Sequence, residues 1–162
     1  METRTINVYD FKELKQDVKD KVIERFREHN QYDFLTDNLK DELTEFILPK
    51  HKIKIDYNFK IYYDLGYCQG DFFNFYGVFN WKCYKVIIKS DNDITIETLQ
   101  GNDAKDSIYQ EFEELYKDIC KAMKKFGYDL IEEEDKEENI IDIIDCNDYK
   151  FLSNGEIYRE TE

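Results

Sequence analysis

Cys68-Gln69-Gly70-Asp71 is the step in this chain that most resembles reaction chemistry, a thiol and a carboxyl set beside glycines. Such a step can be a nucleophile loop, part of a metal site or a tight turn. A reactive thiolate needs a cation, a histidine or a helix N-terminus beside it. Here the neighbours are Tyr67, Gln69 and Asp71, and the acid disfavours a thiolate. Packing is therefore the expected role of Cys68, and Gly66 and Gly70 are expected to supply positive φ in a turn. The other cysteines, Cys83, Cys120 and Cys146, form no CxxC pair, so no metal is expected. His29 falls near a helix end and His51 in a Pro-Lys-His-Lys turn, positions that are usually wet and structural. No HExxH, GxSxG or phosphate-cradling glycine loop is present. The reading is a non-enzyme with no catalytic residue and no cofactor.

Binding chemistry is better represented. The net charge is −14, and residues 129–162 hold thirteen Asp and Glu against three Lys and Arg, so −10 of it lies there. That surface repels nucleic acid and anionic membrane and attracts a basic protein. The run Glu132, Glu133, Glu134, Asp135, Glu137 and Glu138 is the candidate contact, weighed against the commoner fate of charge runs as solvated faces. Aromatic residues reach 16%, and Tyr67, Phe72 and Tyr76 are candidate apolar anchors, with Tyr62 beside them. Single-strand stacking is less favoured, because only Lys60, Lys82, Lys85 and Lys89 flank these strands.

The elements that must position these groups follow from periodicity. Asp10 and Glu13 form a capping-box pattern ahead of Phe11, Leu14, Val18, Val22 and Phe26, which predicts a first helix. A second covers Phe34 to Leu48, with Leu35, Leu39, Leu43, Phe46 and Ile47 inward and Pro49 ending it. From Ile53 the period becomes two and predicts four strands with short connections, hence an antiparallel meander. Ser90 to Asp93 reads as one of its turns. Gly101-Asn102-Asp103 then starts the longest helix, with Ile108, Phe112, Leu115, Ile119, Met123 and Phe126 inward and Gly127 at its C′ position. The acidic tail predicts a short helix around Ile140–Ile144 and a hairpin from Tyr149 to Tyr158. The reading is α+β, one domain over 1–162, with helices on one face of the sheet and an acidic appendage at 129–162. No apolar run approaches the roughly 18 residues needed to span a bilayer. METRTINVYDFKEL lacks a basic and apolar leader, so a cytoplasmic protein is expected.

Three blocks, VYDFKELKQDVKDKVIERFRE, LGYCQGD and GYDLIEEEDKEENIIDIIDCNDYKFLSNGEIY, together resemble a family of small acidic proteins encoded by phages and prophages. In that family the centre reads Tyr-Cys-Gln-Gly-Asp-Gly or similar; Phe72 stands here where the last glycine often is, so this turn is expected to differ. Some members carry an antitoxin-like label. The resemblance implies a phage context in a bacterial host cytoplasm, and with it an anti-defence role of the anti-CRISPR kind. The expected partner is a basic host protein, a CRISPR effector or another defence nuclease. An antitoxin-like or regulatory module using the aromatic sheet is the alternative.

Overall fold

The computed structural model describes residues 5–90 and 92–159. The fold is α+β, with a four-stranded antiparallel sheet, and contacts gather into two compact units. Unit 1 comprises Met1–Tyr32 and Ile131–Glu162, and unit 2 comprises Asp33–Leu130.

In unit 1 the capping-box pair is real but closes only a single 3-10 turn, Phe11–Glu13. The Asp10 amide donates to Glu13 Oε2 at 2.8 Å, after which Leu14 and Lys15 are extended. Helix α1 (Gln16–Glu28) starts there, one turn later than the pattern predicts. The break costs little burial, because Phe11 and Leu14 still reach the core that Val18, Val22 and Ile23 form. The acidic C-terminal segment is not an appendage. It folds back so that Ile140 and Ile144 of helix α5 (Glu137–Cys146), and Phe151 beyond it, complete that same core. Ile140 and Ile144, four residues apart, share one helix face, and a helix with one apolar stripe must bury it. The expected hairpin is present as a bridge between Phe151 and Ile157, and Phe151 also bridges Tyr9.

Unit 2 carries the sheet, in the order β1 (Ile53–Asp64), β2 (Phe72–Trp81), β3 (Tyr84–Ser90), β4 (Asp93–Thr98). Ser90 pairs with Asp93 across the expected turn; Asp91, within it, lies outside the described residues. Before the sheet, α2 (Leu35–Asp41) runs through a π-helical stretch, Glu42–Ile47, into a last turn α3 (Leu48–Lys50). The π stretch corrects the expected inward face. Leu35, Leu39 and Leu43 are buried as expected, but the next buried position is Leu48, five residues on, and Phe46 is 61% exposed. The last turn runs one residue past Pro49 and closes at Lys50, within a residue of the expected end.

Helix α4 (Asp106–Glu134) lies on the sheet face that carries Phe75 and Trp81, with ring contacts from Tyr116 to Phe75 and from Phe112 to Trp81. It does not start at Gly101. The chain first runs back along β4, pairing Asp103 with Glu97 and sending the Ala104 amide to Ile96 O at 2.9 Å. Nor does it stop at Gly127. A Cβ there would meet Leu65 Cδ1 at 2.4 Å, so this glycine serves close packing in mid-helix rather than a C-cap.

Tyr116, which the apolar count passed over, fills a gap in the sheet. The last paired positions of β2 and β3 are Gly77 and Ile88, so Phe75 has no β3 partner. The buried Tyr116 hydroxyl takes the place of one, accepting from the Phe75 amide at 3.3 Å and donating to its carbonyl at 3.1 Å. Burial pushes this phenol far above its usual range, so it stays a neutral donor. Tyr116→Phe leaves two buried backbone groups unpaired and is expected to cost about 1–3 kcal/mol in a urea titration. A loss under about 0.5 kcal/mol would mean that the hydroxyl does not act as the missing strand.

Candidate interaction surfaces

The Cys68–Asp71 step joins β1 to β2 as a loop built around one carboxylate. Asp71 Oδ1 accepts from the Gly66 amide and from the Cys68 thiol, each at 3.1 Å, and Oδ2 accepts from the Tyr128 hydroxyl of α4. Desolvation pushes the Asp71 carboxyl up, but bonds from the Cys68 thiol and from nearby amides outweigh it and hold it below its ordinary value. The same bond pushes the Cys68 thiol up, the reverse of what a nucleophile needs. Positive φ in this loop falls on Tyr67, at 57°, and not on Gly66 or Gly70 as expected. The Tyr67 ring lies tilted against Tyr128 at 4.7 Å between centroids, a contact that helps offset the strained backbone. Among the described residues no group of His, Cys, Asp and Glu is arranged to hold a metal ion.

The candidate acids lie in unit 1, around the junction of α4 and α5. Glu132, Glu133, Glu137 and Glu138 are exposed, whereas Glu134 and Asp135 are half-buried. Asp135 is structural. Its carboxylate accepts from the Tyr32 hydroxyl at 2.8 Å and from Asn30 Nδ2 at 3.4 Å, while its carbonyl accepts from Arg27 Nε at 2.9 Å. These bonds fix the corner on which the outward acids stand. Glu133 pairs with Lys136, and Glu137 and Glu138 occupy the first turn of α5, where the helix dipole favours them.

The candidate aromatics lie in unit 2 and do not form one patch. Tyr67 is committed to Tyr128, and Phe72, 41% exposed, stands at the loop end of β2. Tyr76 pairs with Tyr62 at 5.2 Å on the face opposite Phe75 and Phe79. Tyr57 shares that face, and Lys85 Nζ sits 5.7 Å from its ring centroid. Register could not have been read in advance here: β1 shifts between Ile55 and Lys60, which turns Tyr57 outward and Phe59 toward Phe79.

Against known proteins, the chain matches no family model, no curated protein and no solved structure. No helix among the described residues is long and apolar enough to cross a membrane.

Proposed function

We propose that this chain is a non-enzymatic phage anti-defence protein that inhibits a nucleic-acid-targeting effector of the host cytoplasm, in the manner of an anti-CRISPR. The observation that carries this reading is the α4–α5 corner. Glu132, Glu133, Glu137 and Glu138 project outward from a junction that Asp135 locks to Tyr32 and Asn30. Fixed, closely spaced carboxylates can stand in for phosphates in a basic groove, and their preorganisation lowers the ordering cost of binding. The protein's resemblance to small phage-encoded acidic proteins supplies the context.

The test is a cleavage assay with a panel of purified CRISPR effectors, each mixed with the protein before its guide or target is added. The wild-type chain should inhibit a member of the panel, with affinity falling roughly tenfold or more between about 50 and 200 mM salt. Reversing Glu132, Glu133, Glu137 and Glu138 to Lys should abolish inhibition while circular dichroism shows α5 still folded. Full inhibition by the reversed variant sinks the reading.

A second reading rests on the exposed tyrosines of the sheet, with Tyr57 and Tyr62 each 48% exposed. An antitoxin-like or regulatory module would bind there through apolar contact. Salt-insensitive binding, lost on Tyr62→Ala and Phe72→Ala but kept by the charge-reversed variant, would select it.

A further inference from the structure

The two edges of the sheet are treated differently. Beyond β4, the edge is closed by the returning chain: Thr98 donates to Asn102 O at 2.8 Å, Ala104 donates to Ile96 O, and the Tyr109 hydroxyl accepts from the Ile96 amide at 2.9 Å. Beyond β1, no strand or bridge pairs with the outer edge among the described residues. An uncovered edge offers alternate amides and carbonyls to any extended chain, and proteins usually blunt such edges.

This edge is blunted along only part of its length. Asn58 takes φ 57° within the register shift, and a bulge there kinks the strand. After the bulge, Lys60 to Asp64 pair regularly with Tyr76 back to Phe72, so the outer edge of this segment is straight. Beside it runs a groove of about 310 Å³, lined by Thr36 and Lys40 of α2 and by Phe59, Lys60, Ile61 and Tyr62 of β1. The Thr36 hydroxyl is tied to the Tyr63 hydroxyl at 2.6 Å, which sets α2 alongside the strand. Lys40 and Lys60 are exposed and make no ion pair among the described residues, in a chain whose net charge is −14.

We infer that the outer edge of β1 from Phe59 to Tyr63 is a docking site for an extended, acidic segment of a partner protein, which adds as a fifth strand. Backbone pairing with the open edge would supply the affinity, and the side chains would supply the selection. On the helix side, the added strand meets Phe59, Ile61 and the Lys40 ammonium; on the other side it meets Lys60 and the Tyr62 ring. Alternating residues set apolar side chains against Phe59 and Ile61 and carboxylates against Lys60, while the Lys40 ammonium adds longer-range attraction for the same acids. A second copy of this chain fits less well, because the bulge at Asn58 interrupts the run that two β1 strands would need to share. The site shares no residue with the acidic corner and does not depend on that reading.

The probe is a fluorescein-labelled peptide of alternating valine and glutamate, roughly eight residues long, the length of an ordinary strand with one residue to spare at each end. Anisotropy should report saturable binding to the full chain, with exchange protection confined to β1 amides. Three changes should each weaken it roughly tenfold or more: lysine for glutamate in the peptide, N-methylation of its alternate amides, and Lys40→Glu with Lys60→Glu in the protein. The Leu99→Ala chain, altered at an exposed residue next to β4, should bind unchanged. Equal affinity for the lysine or the N-methylated peptide overturns the proposal. So does an absence of binding at millimolar probe, whether the chain is then monomeric or dimeric by sedimentation, and so does competition by single-stranded DNA in place of the peptide.

Discussion

Phe151→Ala should be the most damaging single truncation in unit 1, costing about 3–5 kcal/mol. The ring is fully buried, meets Phe11 edge-to-face at 6.2 Å between centroids, and belongs to one cluster with Val18, Val22, Ile140 and Ile144. Its backbone is engaged as well: its amide donates to Tyr9 O at 2.9 Å, and its carbonyl accepts from the Tyr9 amide at 2.8 Å. Truncation therefore empties the point where the N-terminal segment, α1, α5 and the hairpin meet, and none of these elements is long enough to hold its shape alone. Against a typical total of about 5–15 kcal/mol, such a loss is a large fraction. The melting temperature should fall by roughly 10 °C, at about 2–4 °C per kcal/mol for a chain of this size. Phe151→Leu should recover most of it. A fall under about 2 °C would mean that Phe151 does not organise this core. The variant also separates packing from charge in the proposed function. It should weaken partner binding through a loosened α5 with every acid still in place, and binding should return in conditions that restore the fold.

The elements with one clean period were legible from the chain, and the failures have specific causes. The meander followed from period-two alternation and short connections, and α4 from its spacing of apolar residues. Gly127 misled because a glycine near the end of a pattern usually marks a C-cap, whereas here it yields space to Leu65. Phe46 misled because a π turn moves the inward position from a four-residue step to a five-residue one, and no local residue type announces that. The acidic tail reads as an appendage because its charges outnumber its isoleucines, but burial is decided by which residues share a stripe and not by the average. Among the candidate acids, Asp135 could not be told from its neighbours. Its role depends on Tyr32 and Asn30, more than a hundred residues away in the chain. The Cys-Gln-Gly-Asp step was legible as a turn, but not which atoms hold it. Asp71 is the hub, and Tyr67, not a glycine, carries the strained backbone.

Gly77→Ala is the second large effect, and it links the sheet's stability to its open edge. Gly77 has φ 141°, a region that side chains rarely enter, and an added Cβ would stand 3.0 Å from Asn58 O and 3.1 Å from Phe59 Cα. Both are backbone atoms of β1, so no rotamer change relieves the contact. The strained backbone alone should cost roughly 1–3 kcal/mol, and displacing β1 adds to that. Gly101→Ala offers a control at positive φ, because a Cβ there meets nothing within 4 Å and only the backbone strain remains. The difference between the two variants in denaturant midpoint thus measures how hard β2 presses on the bulge. That bulge, with Asn58 at φ 57°, is what turns Phe59 inward and leaves Lys60 to Asp64 as a straight outer edge. Gly77→Ala should accordingly weaken the valine–glutamate peptide at temperatures where the variant is still folded, whereas Gly101→Ala should leave peptide binding as it is. Equal stability loss in the two variants would show that the close approach at Asn58 is relaxed at no cost, and that the bulge does not depend on Gly77.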